Sequence, residues 1–281
     1  MTNANEYKDA QRQMWDRLSP AWDRDDNWFQ RQTHTVGEWL CRVADLRSGQ
    51  RILDLACGSG QPALTAARLV RPGGTVVATD LSEEMVRVAR RKANMADLDN
   101  VEFKVMDAEN IDFPDETFDA VTCRWGLMFC PDPAKAVKEV HRVLKQHRPF
   151  ATTTFTAADQ NPWFAQSLQV AADALGVPPP PPEAPTPLRL NDTSRLKAML
   201  ADAGFQNIEI ETRSFAWEFA SPEESWTITS SLTPMFANAM ATLDEAGKAD
   251  LKARWLDVCG RYRAGSKVSF PSLAIGAYGQ K

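Results

Sequence analysis

At 281 residues, with 43% hydrophobic and 25% charged side chains, the chain has an ordinary globular composition and the length for one large or two small domains. A net charge of −5 excludes the broad positive footprint of a nucleic-acid binder, and no apolar run reaches the roughly 18 residues of a membrane span. Nine tryptophans against three tyrosines are out of proportion, so their placement matters.

The segment Met1 to Lys8 has neither a basic n-region nor an apolar h-region, which predicts no secretory signal. Residues 6–47 read as helices rich in Trp, Asp, Arg and Gln. From 51 to 155 strand and helix signals alternate. Arg51–Ala56 is a short apolar run ending at Gly58-Ser59-Gly60, and Gln61–Val70 has helical spacing closed by Pro72-Gly73-Gly74. Thr75–Thr79 is β-branched; Ser82 then caps a helix running to Met95, with Glu83 and Glu84 in its first turn. Further strands are expected at Val101–Met106, Phe118–Cys123 and Phe150–Phe155, the last two separated by a helix over Pro133–Leu144. Such alternation predicts right-handed crossovers and an α/β fold with a doubly wound, mostly parallel sheet.

A helix is predicted over 161–176, and Pro178–Pro182 with Pro185 and Pro187 reads as a stiff extended connector. Ser194–Ala203 is a helix stopped by Gly204, strands follow at Ile208–Phe219 and Lys267–Tyr278, and helices over 222–262 stand between them. The chain thus divides into a cap (1–47), a central core (48–158), a connector continuing that core (159–221), a helical lid insertion (222–262) and the last strand (263–281). Cys41, Cys57, Cys123, Cys130 and Cys259 show no CxxC spacing, so reduced thiols in the cytoplasm are expected and no metal site.

The most informative stretch is Asp54-Leu55-Ala56-Cys57-Gly58-Ser59-Gly60-Gln61-Pro62-Ala63, at the first strand-to-helix turn. Glycines there allow a sharp turn and close approach of backbone to a ligand at the carboxyl edge of the sheet. Gly58-x-Gly60-x-x-Ala63, with Asp80 twenty residues on, also satisfies a dinucleotide fingerprint, which leaves an NAD(P)-dependent oxidoreductase as an alternative. Asp54 weighs against an anionic pyrophosphate and favours a ligand carrying an ammonium group. Asp80 ends the second strand, where a carboxylate accepts from ribose hydroxyls, and Asp107-Ala108 ends the third, beside an adenine. Acids at successive strand ends, with no Lys or Arg in the glycine loop, describe a pocket for a positively charged nucleoside. S-adenosylmethionine fits that description.

With Ala78-Thr79-Asp80-Leu81-Ser82, Asp107-Ala108-Glu109, Phe113–Asp119, Arg124-Trp125-Gly126-Leu127-Met128 and Glu139–Lys145, the segment 51–155 resembles the core of class I S-adenosylmethionine-dependent methyltransferases of the type-11 kind, which includes ubiquinone/menaquinone C-methyltransferases. The resemblance implies a seven-stranded sheet and S-adenosylmethionine as cofactor, with S-adenosylhomocysteine as product. It also implies that Asp54, Ala56, Gly58, Ser59 and Gly60 cradle the methionine part and that Asp80 and Leu81 meet the ribose. Asp107 and Ala108 then flank the adenine, and Arg124 lies near the methionine and the transfer site. Two departures stand out. Gln146-His147-Arg148-Pro149 replaces the family's Pro-Gly-Gly turn, and Trp15-Asp16 and Trp22-Asp23 replace a Tyr-Asp pattern in the cap.

Methyl transfer is an in-line displacement that needs a base only if the nucleophile must lose a proton. His34, in the cap among Trp28, Phe29 and Trp39, is the one histidine placed for that role; His141 and His147 read as solvated, and Asp16, Asp23, Asp25 and Asp26 as mostly helix-surface charges. Trp125, beside Arg124, is the best acceptor-facing aromatic, so His34, Arg124 and Trp125 are the catalytic candidates. Every other tryptophan falls in the flanks, either anchoring helices or, with Met235, Phe236 and Met240, lining a lid over the transfer site. Apolar walls suit a small apolar or aromatic acceptor. A regulatory module that binds the cofactor without catalysis is a further alternative. Nucleic acid is disfavoured by the absence of an Asn-Pro-Pro-Tyr or Pro-Cys signature, and the Arg87, Arg90, Arg91, Lys92 cluster reads as a solvated helix face. Arsenic methylation is disfavoured because Cys57 belongs to the cofactor loop. The acceptor atom (O, C or N) and the oligomeric state, a homodimer among the options, stay open.

Overall fold

The computed structural model describes residues 4–281; Met1–Asn3, on which part of the leader reading and of the cap rest, lie outside the described residues. Four short parallel strands, β1 (Arg51–Leu55), β2 (Thr75–Asp80), β3 (Val101–Val105) and β4 (Ala120–Arg124), are followed by β5 (Pro149–Phe155). Ile52, Leu53, Val76, Val77, Val121 and Phe150 are buried completely or nearly so, as expected for parallel strands covered on both faces. Two long strands, β6 (Gln206–Phe219) and β8 (Lys267–Gln280), complete the sheet in the order β3-β2-β1-β4-β5-β8-β6, with β8 antiparallel to both neighbours. The sheet has eight strands, not seven: the turn before β8 adds the two-residue β7 (Arg263–Ala264), hydrogen-bonded to β8 alone. That hairpin is too short to leave a hydrophobic pattern, which is why sequence periodicity overlooks it.

Helices α3 (Ala63–Leu69), α4 (Glu83–Met95) and α5 (Pro133–Val143) are the crossovers. Ser82 Oγ accepts from Met85 N at 3.1 Å to cap α4, and Asp132 caps α5 through Lys135 N. Strand order reverses between β1 and β4, so their carboxyl ends open a crevice at the topological switch point.

The cap is two helices, α1 (Ala4–Arg24) and α2 (Asp26–Val43). After β5 come α6 (Pro162–Leu175) and α7 (Thr193–Asp202); α8 (Pro222–Leu232), α9 (Pro234–Thr242) and α10 (Glu245–Arg261) stand between β6 and β8. One apolar cluster unites α2, α6 and α8–α10 with the late strands, with Trp28 and Phe29 of α2, Trp163 of α6, Trp217 of β6, Phe236 of α9 and Trp255 of α10 in a single interior, while α7 packs Leu196 and Leu200 into a second cluster. Trp28 stacks on Trp217, and Trp255 on Phe270 of β8. The proline-rich stretch departs from expectation. Residues 177–181 are irregular, but Pro182–Leu190 folds into successive turns, tied down where Arg189 donates to the carbonyls of Cys130 (2.5 Å) and Pro131 (3.2 Å). No helix among the described residues is long and apolar enough to cross a membrane.

Candidate functional site

A cavity of about 530 Å³ sits over the carboxyl ends of β1, β2 and β4, within the range of small-molecule sites. Its floor is the turn after β1. Gly58 there has φ +52°, and a Cβ built on it would meet no atom within 4 Å, so the loop leaves open space on its ligand side. Asp80, at the end of β2, locks the loop: Oδ2 accepts from Gly58 N and Oδ1 from Ser82 N, both at 2.9 Å. Burial raises the Asp80 carboxyl above the ordinary range, while the N–H groups of Ser82, Gly58 and Leu81 hold it down.

Ala56 (φ 53°) and Trp125 (φ 57°) both take left-handed backbone where β1 and β4 leave the sheet. Such residues cost of order 1–3 kcal/mol each and persist where the fold over-determines them. Gly126 follows Trp125 because a Cβ there would lie 2.5 Å from Ala56 Cβ. The two loop ends therefore interlock, with the glycine turn on one side and an aromatic ring on the other.

Of the ten residues predicted for the cofactor, Ala56, Gly58, Ser59, Asp80, Leu81, Asp107, Ala108 and Arg124 line this cavity. Asp54 and Gly60 do not. Asp54 is fully buried beneath the floor, where Oδ1 accepts from Thr122 Oγ1 at 2.5 Å and Oδ2 has no hydrogen-bond partner among the described residues. Burial pushes its carboxyl up to about 7 despite the Thr122 hydroxyl and the Arg124 guanidinium. Its influence on a ligand is therefore electrostatic, through the floor. Gly60 packs against Leu64 and Ala89 behind the loop.

His34 is the clearest correction. It lies exposed on α2, with Nδ1 against the Arg31 carbonyl at 3.1 Å, and is not part of the cavity wall. The apolar positions of α2 rotate Phe29, Thr33 and Val36 inward, and position 34 falls on the opposite face. His147 is exposed as expected. His141 is half-buried instead, its ring edge-on to Phe205 at 5.1 Å, and burial lowers its affinity for a proton.

The cap supplies what single-residue reading missed. Lys8 Nζ pairs with Asp107 (2.7 Å) and Glu109 (2.6 Å), bridging α1 to the end of β3. Asp16 Oδ1 accepts from Ser82 Oγ (2.6 Å) and Glu84 N (3.2 Å), and Asp26 accepts from Ser59 Oγ (2.7 Å). Arg87, Arg90 and Arg91 of α4 are exposed, as read, but the face is also paired: Arg91 and Lys92 meet Asp23 and Asp26 of the cap, whereas Arg87 turns to Glu84 and Arg90 to the Phe103 carbonyl. An acidic, regularly spaced set on α1 and α2 (Asp16, Asp23, Asp26) opposite a basic α4 was the signal available in the sequence. Asp119 and the Phe113–Phe118 pair instead brace the opposite end of the sheet, through Arg51 N and Lys145.

Beyond the loop the cavity becomes aromatic. Trp22, Phe29, Trp125, Phe155, Trp163 and Phe164 form its walls, closed by Leu232 and Met235 and by the turns at Ala184–Pro187. Trp125 stacks on Phe155 at 4.9 Å and meets Phe29 edge-on at 5.9 Å. Phe236 is fully buried behind this wall, and neither it nor Met240 lines the space; Trp15 does, over the polar half. Arg124 stands at the boundary. Its Nη1 donates to Gln30 Oε1 (3.1 Å) and Thr33 Oγ1 (3.3 Å), and its charge lies over Phe29 (5.6 Å) and Trp125 (5.4 Å).

Comparison with known proteins bears on this architecture. Residues 53–150 match the type-11 family described as a methyltransferase domain. The ubiquinone/menaquinone biosynthesis C-methyltransferase UbiE of Escherichia coli O139:H28 is 33% identical over 186 residues, which cover 58% of this chain and 69% of that protein. The chain belongs to the type-11 methyltransferase family. The demethylmenaquinone methyltransferase of Listeria welshimeri is 33% identical over 148 residues, covering 52% of this chain and 61% of the relative, so the chain spans about three fifths of such relatives. Among solved structures, the (4+2)-cyclase SpnF has the same fold, with a TM-score of 0.61 at 23% identity over 96% of this chain and 95% of that one. This fold therefore does not by itself fix a reaction.

Proposed function

We propose that the chain transfers a methyl group from S-adenosylmethionine to a small apolar or aromatic acceptor. The observation that carries this reading is the division of one cavity: a polar half built on the glycine turn and strand-end acids, continuous with an aromatic half containing no acid. The residues present fit the cofactor. Gly58 leaves the space a side chain would fill, Asp80 offers an ordered carboxylate at the ribose position, and Asp107 and Ala108 flank the adenine position. When bound, S-adenosylmethionine supplies an electrophilic methyl group on a sulfonium. Ala56, Gly58 and Ser59 hold the methionine part, and the α1 links exclude water from above.

The oxidoreductase alternative is disfavoured because a pyrophosphate over the loop would face Asp80, with Asp54 buried below and no cation in the loop. The names of the relatives make a quinone-type ring one candidate acceptor for the aromatic half. Unpaired cysteines support a reducing, cytoplasmic setting. Calorimetry with S-adenosylmethionine, S-adenosylhomocysteine and NADH tests the reading. Wild type is expected to bind the first two, and Asp80→Ala to bind them about tenfold or more weakly, the loss of a charge-assisted contact. Binding of NADH alone would overturn it.

A further inference from the structure

We propose that Arg124 seats an oxyanion of the acceptor, and that the acceptor is a conjugated acid, a phenol or enol, taken up in its ionised form. The proposal rests on the methyl-transfer reading and names the substrate class for that same cavity.

Arg124 is a cation without a counter-ion. It is only partly exposed, has no carboxylate within ion-pair distance among the described residues, and spends Nη1 on two neutral oxygens of α2. Those bonds hold the guanidinium in place without neutralising it. The titratable groups facing it are Asp54 from β1 and Asp26 and Cys41 from α2. Asp54 lies beyond ion-pair distance and burial favours its protonated form, Asp26 is engaged by Lys92 and Ser59, and the Cys41 thiol is held protonated by burial. Burying an arginine this way is unfavourable unless an anion arrives to complete the pair.

The aromatic half contains no group able to take a proton. Its lining residues are Trp, Phe, Leu, Ala, Pro, Ser, Thr, Met and Asn; at the junction Tyr7 and Cys130 are kept protonated by burial, and the carboxylates of Asp107 and Glu109 are paired with Lys8. A neutral nucleophile would have no base there. An acceptor that has already released its proton to water needs none, and flat rings beside a cation suit a delocalised anion. The nearest rings to Arg124, Phe29 and Trp125, belong to this half, which assigns the guanidinium to the acceptor rather than to the cofactor's carboxylate.

The test loads the protein with S-adenosylhomocysteine and titrates it with 4-nitrophenol and with nitrobenzene, below the pKa of the free phenol. Calorimetry follows binding and absorbance follows the phenolate band. Wild type is expected to show that band on binding and to prefer the phenol by about tenfold or more. Arg124→Met should lose both, and Arg124→Lys should keep part. Both variants should bind S-adenosylhomocysteine within about threefold of wild type, which also reports that they fold. No phenolate band in wild type overturns the proposal. So does an Arg124→Met protein that binds S-adenosylhomocysteine weakly but 5′-methylthioadenosine, which lacks the carboxylate, normally. Wild type that binds no S-adenosylhomocysteine overturns the methyl-transfer reading itself, and the proposal with it.

Discussion

Asp54 shows how one buried carboxyl ties stability to pH. Its proton is held in the folded protein up to about 7 but released near 3.8 when exposed. Between those values the folded state binds more protons than the unfolded one, so this group makes stability fall as pH rises. Thermal midpoints measured from pH 4 to 7 should therefore decline more steeply in wild type than in Asp54→Asn, which keeps the Thr122 contact without a charge. Parallel curves would show that Asp54 is ionised throughout. At this scale the sequence was legible where a residue's place in the cavity wall follows from its position at or just after a strand end, as for Gly58, Asp80 and Asp107. It was less so where orientation decides. Asp54 and Asp80 both lie at strand ends, yet one turns beneath the floor and the other lines the cavity. His34 sits among aromatic neighbours in sequence, but one helical step of 100° places it outside.

Among the elements, α1 is held by polar links as well as by an apolar face that carries Leu18 and Trp22. Lys8 reaches β3, Asp16 the cap of α4, and Asp23 is paired with Arg91. Each link is partly exposed, so each contributes modestly beside the packing of Leu18 and Trp22. Asp16→Ala removes the bonds to Ser82 and Glu84 together. Trypsin should then cut at Arg12 and Arg17 faster than in wild type, and S-adenosylhomocysteine affinity should fall about three- to tenfold. An unchanged cleavage rate would mean that the remaining links suffice. The crossover helices α4 and α5 were readable because Ser82 and Pro133 announce them locally, whereas the Asp132 cap emerges only from the structure. The turns at Pro182–Leu190 were not, because prolines restrict φ without saying whether the chain runs straight or doubles back. Arg189, bound to carbonyls 58 and 59 residues away, makes that choice.

Across the whole molecule, cap, late sheet and insertion share one interior. Trp217 is fully buried on β6 and contacts Trp28, Trp163 and Phe164 from α2 and α6. Trp217→Ala should cost about 3–5 kcal/mol and lower a single calorimetric transition. If the transition instead splits in two, with the sheet surviving, the flanks fold separately. The tryptophan excess accordingly has two sources. Trp28, Trp39, Trp217 and Trp255 serve the interior, with Trp226 packed at its edge, whereas Trp15, Trp22, Trp125 and Trp163 face the cavity.

Trp163 belongs to both sets of contacts at once. One part of its ring walls the aromatic chamber, and its Nε1 donates to Thr229 of α8 at 2.9 Å inside the core. Reshaping the chamber there dismantles the attachment of the insertion. Homologues with other acceptors are thus expected to diverge first at the chamber's replaceable rim, around Ala184–Pro187 and Met235, while the shared tryptophan stays put.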